Sequence, residues 1–149
     1  MTATGTLLCE VEGVIEAPVG RVADLLLRVR PGPVGPGNCF LLAGHGGTLT
    51  GGPERFTLAA PGHSMTVEVG PGRLAAQGGW WYRGEYHLTP DPRGTRLVHR
   101  VYNVAQWMRW GVPLANRFFV ELRPSTRQAV AGLLDRVSAE LGCRSELCP

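Results

Sequence analysis

The side chains with the most chemical potential lie in one stretch, WWYRGEYHLTPDPRGTRLVHRVYNV, residues 80–104. Within it, Tyr82, Tyr86, His99 and Asn103 are the residues whose types would make a site. An imidazole titrates near neutrality and can act as general base toward an enolisable or aldol-competent carbonyl compound. A phenol or a carboxamide can hydrogen-bond the enolate oxygen that develops. Tyrosine rings can hold a planar molecule by stacking. The plainer alternative is a core histidine whose nitrogens are satisfied by Tyr86 and by backbone, since any buried polar group must find partners.

These four residues meet only if the stretch folds as a hairpin in one register. Both halves alternate, and the Pro/Gly-containing segment between them is turn-forming. In the first half Arg83, Glu85 and His87 share one parity, and Tyr82, Tyr86 and Leu88 the other. In the second half Arg96 and Arg100 oppose Leu97, His99, Val101 and Asn103 in parity. Arginine and glutamate are rarely buried unless paired. The inner face therefore takes the even residues of the first strand and the odd residues of the second. Setting Thr89 opposite Arg96 achieves this. It places Tyr86 opposite His99 and Tyr82 opposite Asn103. Outside, Glu85 faces Arg100 as a cross-strand ion pair of about 0.2–1 kcal/mol. A slip by one residue would turn both arginines inward. Trp80 shares the inner parity and closes one end of that face.

The remaining elements must hold this hairpin. Residues 6–16 alternate as a half-buried strand. Pro18 suits the first position of a helix with an apolar stripe at Val22, Leu25, Leu26 and Val29, ending at Arg30-Pro31. PGPVGPGN, residues 31–38, reads as an irregular loop. Residues 39–43 read as a strand or a helical turn. Three shorter strands, 54–60, 64–69 and 73–77, then lead into the hairpin as a meander. After the aromatic connector AQWMRWGVP, apolar spacing predicts a C-terminal helix through Leu114, Phe118, Leu122, Val130, Leu133, Leu134, Val137 and Leu141. Pro124 should kink or split it. One domain, residues 1–142, and a polar tail, 143–149, follow.

A chain of 149 residues, 44% hydrophobic and 18% charged, suits one globular core. A net charge of +3 without a basic run predicts no nucleic-acid partner. The sequence carries no secretory signal pattern and no window near the roughly 18 apolar residues of a membrane span, so a cytoplasmic location is expected. Cys9, Cys39, Cys143 and Cys148 fit no zinc spacing and are expected as free thiols. No phosphate loop, dinucleotide fingerprint, hydrolase triad order or zinc helix is present, so no metal and no cofactor is expected.

The order strand, helix, connector, antiparallel strands, long helix, with VIEAPVGRVADLLL early and Y-x-L-x-P…GT-x-L late, resembles the START/SRPBCC superfamily. The nearest branch in character is the polyketide cyclase/dehydrase and lipid-transport group, Bet v 1-like in fold. The resemblance spans about Thr6 to Gly142. It implies an α+β helix-grip fold, in which a curved antiparallel sheet wraps a long C-terminal helix around an internal cavity. It implies an apolar or aromatic small-molecule partner. It implies either a cofactor-independent cyclase or aromatase with His99 and Tyr86 as catalytic residues, or a non-catalytic carrier. Carried onto this chain, the inward positions of the last strands are Tyr82, Gly84, Tyr86, Leu97, His99, Val101 and Asn103. Trp80 closes one end, and Phe118, Leu122 and Thr126 face the cavity from the helix. Trp107 and Trp110 roof the mouth; a homodimer contact, a membrane contact and packing on the helix base are the alternatives, with membrane contact the least expected. The chain departs from such proteins at PGPVGPGN, where many carry a second short helix, which leaves the mouth wider or gated by that loop.

Overall fold

The alternation along the chain resolves into one antiparallel sheet. The computed structural model describes residues 5–79, 81–105 and 122–149. Its elements are β1 (Thr6–Ile15), α1 (Val19–Leu26), β2 (Gly32–Pro33), a 3-10 turn (Phe40–His45), β3 (Thr48–Gly51), β4 (Arg55–Ala60), β5 (His63–Gly70), β6 (Arg73–Gly78), β7 (Tyr82–Asp91), β8 (Gly94–Asn103), α2 (Leu122–Leu141) and β9 (Ser145–Leu147). The strands lie in the order β2-β3-β4-β5-β6-β7-β8-β1-β9. From β2 to β8 each strand pairs with the next in sequence; only β1 and β9 are placed out of order. The class is α+β, with a large antiparallel sheet and one C-terminal helix.

One face of the sheet is the core. Val11 and Ile15 of β1, Leu74 of β6 and Leu97 of β8 are almost wholly buried there. α2 meets this face with Val130, Leu133, Leu134 and Val137, spaced as one helical stripe. Each such side chain contributes about 1.5–3 kcal/mol by burial. Among the described residues no helix is long and apolar enough to cross a membrane.

The hairpin register is the expected one: Thr89 opposes Arg96, Tyr86 opposes His99 and Tyr82 opposes Asn103. Glu85 and Arg100 are also opposed, but they do not form the expected ion pair. Arg100 reaches the other way to Glu10 of β1, at 2.6 Å, and Glu85 binds Arg83 at 2.8 Å and His87 at 2.9 Å. On a sheet, neighbours along a strand and on the next strand compete for the same head group, and β1 offers Arg100 its own carboxylate. Arg83 is only 7% exposed. It is enclosed on the outer face by Glu68 at 3.0 Å, Gln77 at 3.0 Å and Glu85.

Four other expectations are corrected. α1 stops at Leu26 instead of Arg30, and Pro18 is its N-cap instead of its first turn. The backbone beyond α1 is drawn off by the Cys39 N–H, which donates to Arg28 O at 2.8 Å. PGPVGPGN is not wholly irregular, because Gly32 and Pro33 pair with Leu49 and Thr48 as an edge strand, where proline's missing N–H is harmless. Buried Asn38 stitches the segment together, accepting from Arg30 N–H and donating to Arg30 O, both at 2.9 Å, and to Pro33 O at 3.1 Å. The stretch 143–149 carries β9, which pairs with residues 13–15 of β1. The described part of α2 starts at Leu122, so Pro124 lies in its first turn, and the stretch before it in which a kink or split is expected lies outside the described residues.

The hairpin tip is locked onto the β1–α1 junction. Gly94 has φ +138°, and a Cβ there would lie 2.6 Å from Ile15 O and 2.7 Å from the Ala17 N and O atoms. Thr95 donates its hydroxyl to Ala17 O at 2.8 Å. Arg93 bridges Glu16, at 2.7 Å, and Glu146. Gly94→Ala should therefore destabilise the fold by about 2–5 kcal/mol through backbone strain and overpacking. Arg93→Ala, which removes only solvent-exposed ion pairs, should cost far less. Urea denaturation of the two variants checks the ranking, and equal losses would contradict it.

Candidate functional site

β7 and β8 deliver Tyr86 and His99 side by side on the inner face. Their rings stack, with centroids 4.1 Å apart and planes 13° from parallel. Gly84, next inward on β7, makes the space for this group. A Cβ at Gly84 would collide with the Tyr82 hydroxyl and lie 3.2 Å from His99 Cε1. Tyr82 thus folds back over a bare stretch of backbone toward the imidazole.

His99 is held in one tautomer. Its Nδ1 lies 3.0 Å from the Glu85 carbonyl oxygen. A carbonyl only accepts, so Nδ1 carries the proton and Nε2 presents a lone pair. Burial pushes the imidazole pKa down to about 4, against the opposing pull of the Glu85 carbonyl. The ring is therefore neutral through the physiological range. Burial, and secondarily Cys9, raises the Tyr82 phenol, and burial raises Tyr86 further, so both stay protonated.

Three polar atoms in this cluster have no hydrogen-bond partner among the described residues: His99 Nε2, Tyr82 Oη and Tyr86 Oη. Every fully buried side-chain nitrogen or oxygen among the described residues is partnered. The three atoms are therefore accessible from a cavity of about 380 Å³ between the sheet and α2, which Tyr82, Tyr86 and His99 line. Val101 completes the sheet wall, and Thr126, Val130 and Leu133 supply the helix wall. A second chamber of about 410 Å³ lies toward β5 and β6, against Met65 and Ala76. Tyr82, Tyr86 and His45 border both chambers. His45 meets His63 edge-to-face across the second, with ring centroids 6.0 Å apart.

Of the residues singled out from sequence, Tyr82, Tyr86, His99, Val101 and Thr126 line the first cavity. Leu97 does not: it is fully buried in the core. Asn103 does not either, because its Oδ1 accepts the Ala105 N–H at 2.9 Å and closes the end of β8. Leu122 stands half-buried at the start of the described part of α2 and is not among the described residues that line the cavity. Trp80, Trp107, Trp110 and Phe118 lie outside the described residues. Tyr86 is a stacking partner of His99 and not its hydrogen-bond partner. Thr126 spends its hydroxyl partly on Cys9, whose Sγ lies 3.6 Å away.

Sequence reasoning missed Arg136 and His45. Arg136 had a signal, since it continues the stripe Thr126, Ala129, Leu133 by one more turn. His45 had none, because only the tertiary fold brings the 3-10 turn to the sheet. Among the described residues no group of three or more His, Cys, Asp or Glu could hold a metal ion, and all four cysteines are free.

No family model, curated protein or solved structure matches this chain.

The depressed His99 pKa has a stability consequence. A group that binds its proton more weakly when folded contributes stability in full above its ordinary value of 6.5, and that contribution is lost as pH falls toward 4. The loss should reach about 3 kcal/mol, since each unit is worth about 1.4 kcal/mol. Denaturation curves between pH 7 and pH 4 should show wild type losing this amount relative to His99→Gln, which cannot titrate. Parallel profiles would contradict a neutral, buried His99.

Proposed function

We propose that the protein binds a planar aromatic or otherwise apolar small molecule in the cavity between its sheet and α2. The observation that carries this is the trio of unpartnered polar atoms that face an enclosed cavity of mixed polar and apolar lining. Because these donors and acceptors face the cavity and are not used within the described protein, they are free to bind a ligand that carries matching groups. Tyr82 and Tyr86 offer donors, His99 Nε2 offers an acceptor, and the Tyr86–His99 stack offers a flat surface. A volume near 380 Å³ falls in the usual range for small-molecule sites, about 300–1,000 Å³. The arrangement of a large antiparallel sheet, a C-terminal helix and a cavity between them is compatible with a helix-grip fold of the START/SRPBCC kind. That compatibility supports the reading but does not carry it.

A second reading, cyclisation or dehydration of the bound molecule, rests on one further observation. The tautomer fixed by Glu85 leaves Nε2 as a base beside two phenol donors. Nε2 would take an α-proton from a carbonyl compound while a tyrosine hydroxyl donates to the enolate oxygen. With its pKa near 4, His99 is a much weaker base than an ordinary imidazole. It would serve only for strongly acidified C–H bonds, such as those of 1,3-dicarbonyl compounds. Binding is therefore the reading the geometry favours.

N-phenyl-1-naphthylamine, a neutral aromatic dye, tests both. It should bind saturably with one site per chain. Ala129→Trp, at an exposed position on the cavity edge, should abolish binding while leaving the thermal melting curve unchanged. Unchanged dye binding in that variant would refute the site. Solvent deuterium exchange into benzoylacetone, accelerated by wild type and not by His99→Ala, would support the catalytic reading. Equal exchange with both proteins would exclude it.

A further inference from the structure

The first cavity has a polarity along its length. α2 lines it with Thr126, Ala129, Val130, Leu133 and Arg136, a single stripe of the helix. Thr126 to Arg136 spans about 15 Å along the helix axis. Arg136 is the only charged side chain among the described residues that line the cavity, and none of those described residues is a carboxylate. Arg136 also makes no ion pair within the described protein. Arg83, Arg93, Arg96 and Arg100 are each paired with an acidic side chain. Arg136 has neither an ion pair nor a hydrogen bond among the described residues. Neighbouring Asp135 and Glu140 on the same helix do not come within ion-pair distance of it. Its charge nevertheless reaches inward, since it favours the ionised form of the Tyr86 phenol against the effect of burial.

We propose that the ligand is amphipathic, with an aromatic body on the Tyr86–His99 stack and a single anionic group held by Arg136. This rests on the cavity being a binding site, as argued above, and goes beyond it by naming the ligand's charge and orientation. A guanidinium offers a fork of N–H donors suited to a carboxylate, sulfonate or phosphate. Its position, exposed at the edge of an aromatic cavity, lets the anion stay partly hydrated while the ring is buried. An anion placed deeper would meet Tyr82 and Tyr86 hydroxyls but no cation among the described residues, and His99 would present it with a repelling lone pair. The charge therefore fixes which end of the molecule enters first.

Two dyes that share a body and differ in charge test this. 8-Anilino-1-naphthalenesulfonate carries a sulfonate, and N-phenyl-1-naphthylamine lacks it. Wild-type protein should bind the sulfonate more tightly, and that preference should shrink with added salt. Arg136→Ala should weaken the sulfonate about 5- to 20-fold, as expected for a charge-assisted hydrogen bond at a partly exposed site. The same variant should leave the neutral dye within about 2-fold, since it removes no part of the aromatic surface. Arg136→Lys should keep most of the preference. Equal effects of Arg136→Ala on both dyes, or no effect on either, would overturn the anionic anchor while leaving the cavity reading intact. Failure of both dyes to bind wild type would instead overturn the cavity reading itself.

Discussion

The structure depends on which way Arg83 faces. A guanidinium on the inner face of β7 would sit in the apolar core without a partner, and the sheet has only one alternative parity to offer. On the outer face Arg83 is still 7% exposed, but there it lies between Glu68, Gln77 and Glu85. Burial pushes the Glu85 carboxyl upward, yet hydrogen bonds from Arg83 and His87 outweigh it and hold the pKa below its ordinary value. Such networks add little net stability over an apolar equivalent, but removing one member leaves a stranded charge. Their effect here is to make a slipped register far worse than the native one. The arginines on β8 act in the same direction, with Arg96 on Glu12 and Arg100 on Glu10.

Once that parity is set, the site follows. Tyr82, Gly84 and Tyr86 must point inward, opposite Asn103, Val101 and His99. The Glu85 side chain goes out to Arg83 while its carbonyl accepts the imidazole N–H of His99. One residue thus secures the charge lattice on one face and the tautomer on the other. The outcome is a neutral ring with a lone pair aimed at accessible space, flanked by phenols that stay protonated. These are properties of a recognition surface more than of a strong base. A low imidazole pKa keeps His99 uncharged, and leaves Arg136 as the one charged side chain among the described residues that line the cavity.

Much of this was legible in the sequence because strand periodicity and charge burial are local rules. The β7–β8 register could be read from alternating letters alone, and the stripe Val130, Leu133, Leu134, Val137 from helical spacing. Contacts decided by tertiary placement were not legible. Arg100 chose Glu10 over Glu85 because β1 lies beside β8, which no local pattern announces. Asn103 looked like a site residue by parity, but its carboxamide oxygen accepts the Ala105 N–H just past the end of β8. His45 reached the cavity only through the 3-10 turn, whose entry at Cys39 requires a left-handed backbone, φ 55°, that the sequence does not signal. β9 was hidden because a three-residue edge strand is too short to show a period.

The central claim is that His99 is neutral, protonated on Nδ1, and open to ligand through Nε2. Long-range ¹H–¹⁵N correlation spectra of protein labelled in its histidines report all three at once. At neutral pH the spectrum should show His99 with a protonated Nδ1 and a bare Nε2, and the Nε2 resonance should move when a hydrogen-bond-donating aromatic such as 2-naphthol is added. A protonated Nε2, or an Nε2 resonance indifferent to saturating ligand, would contradict the account.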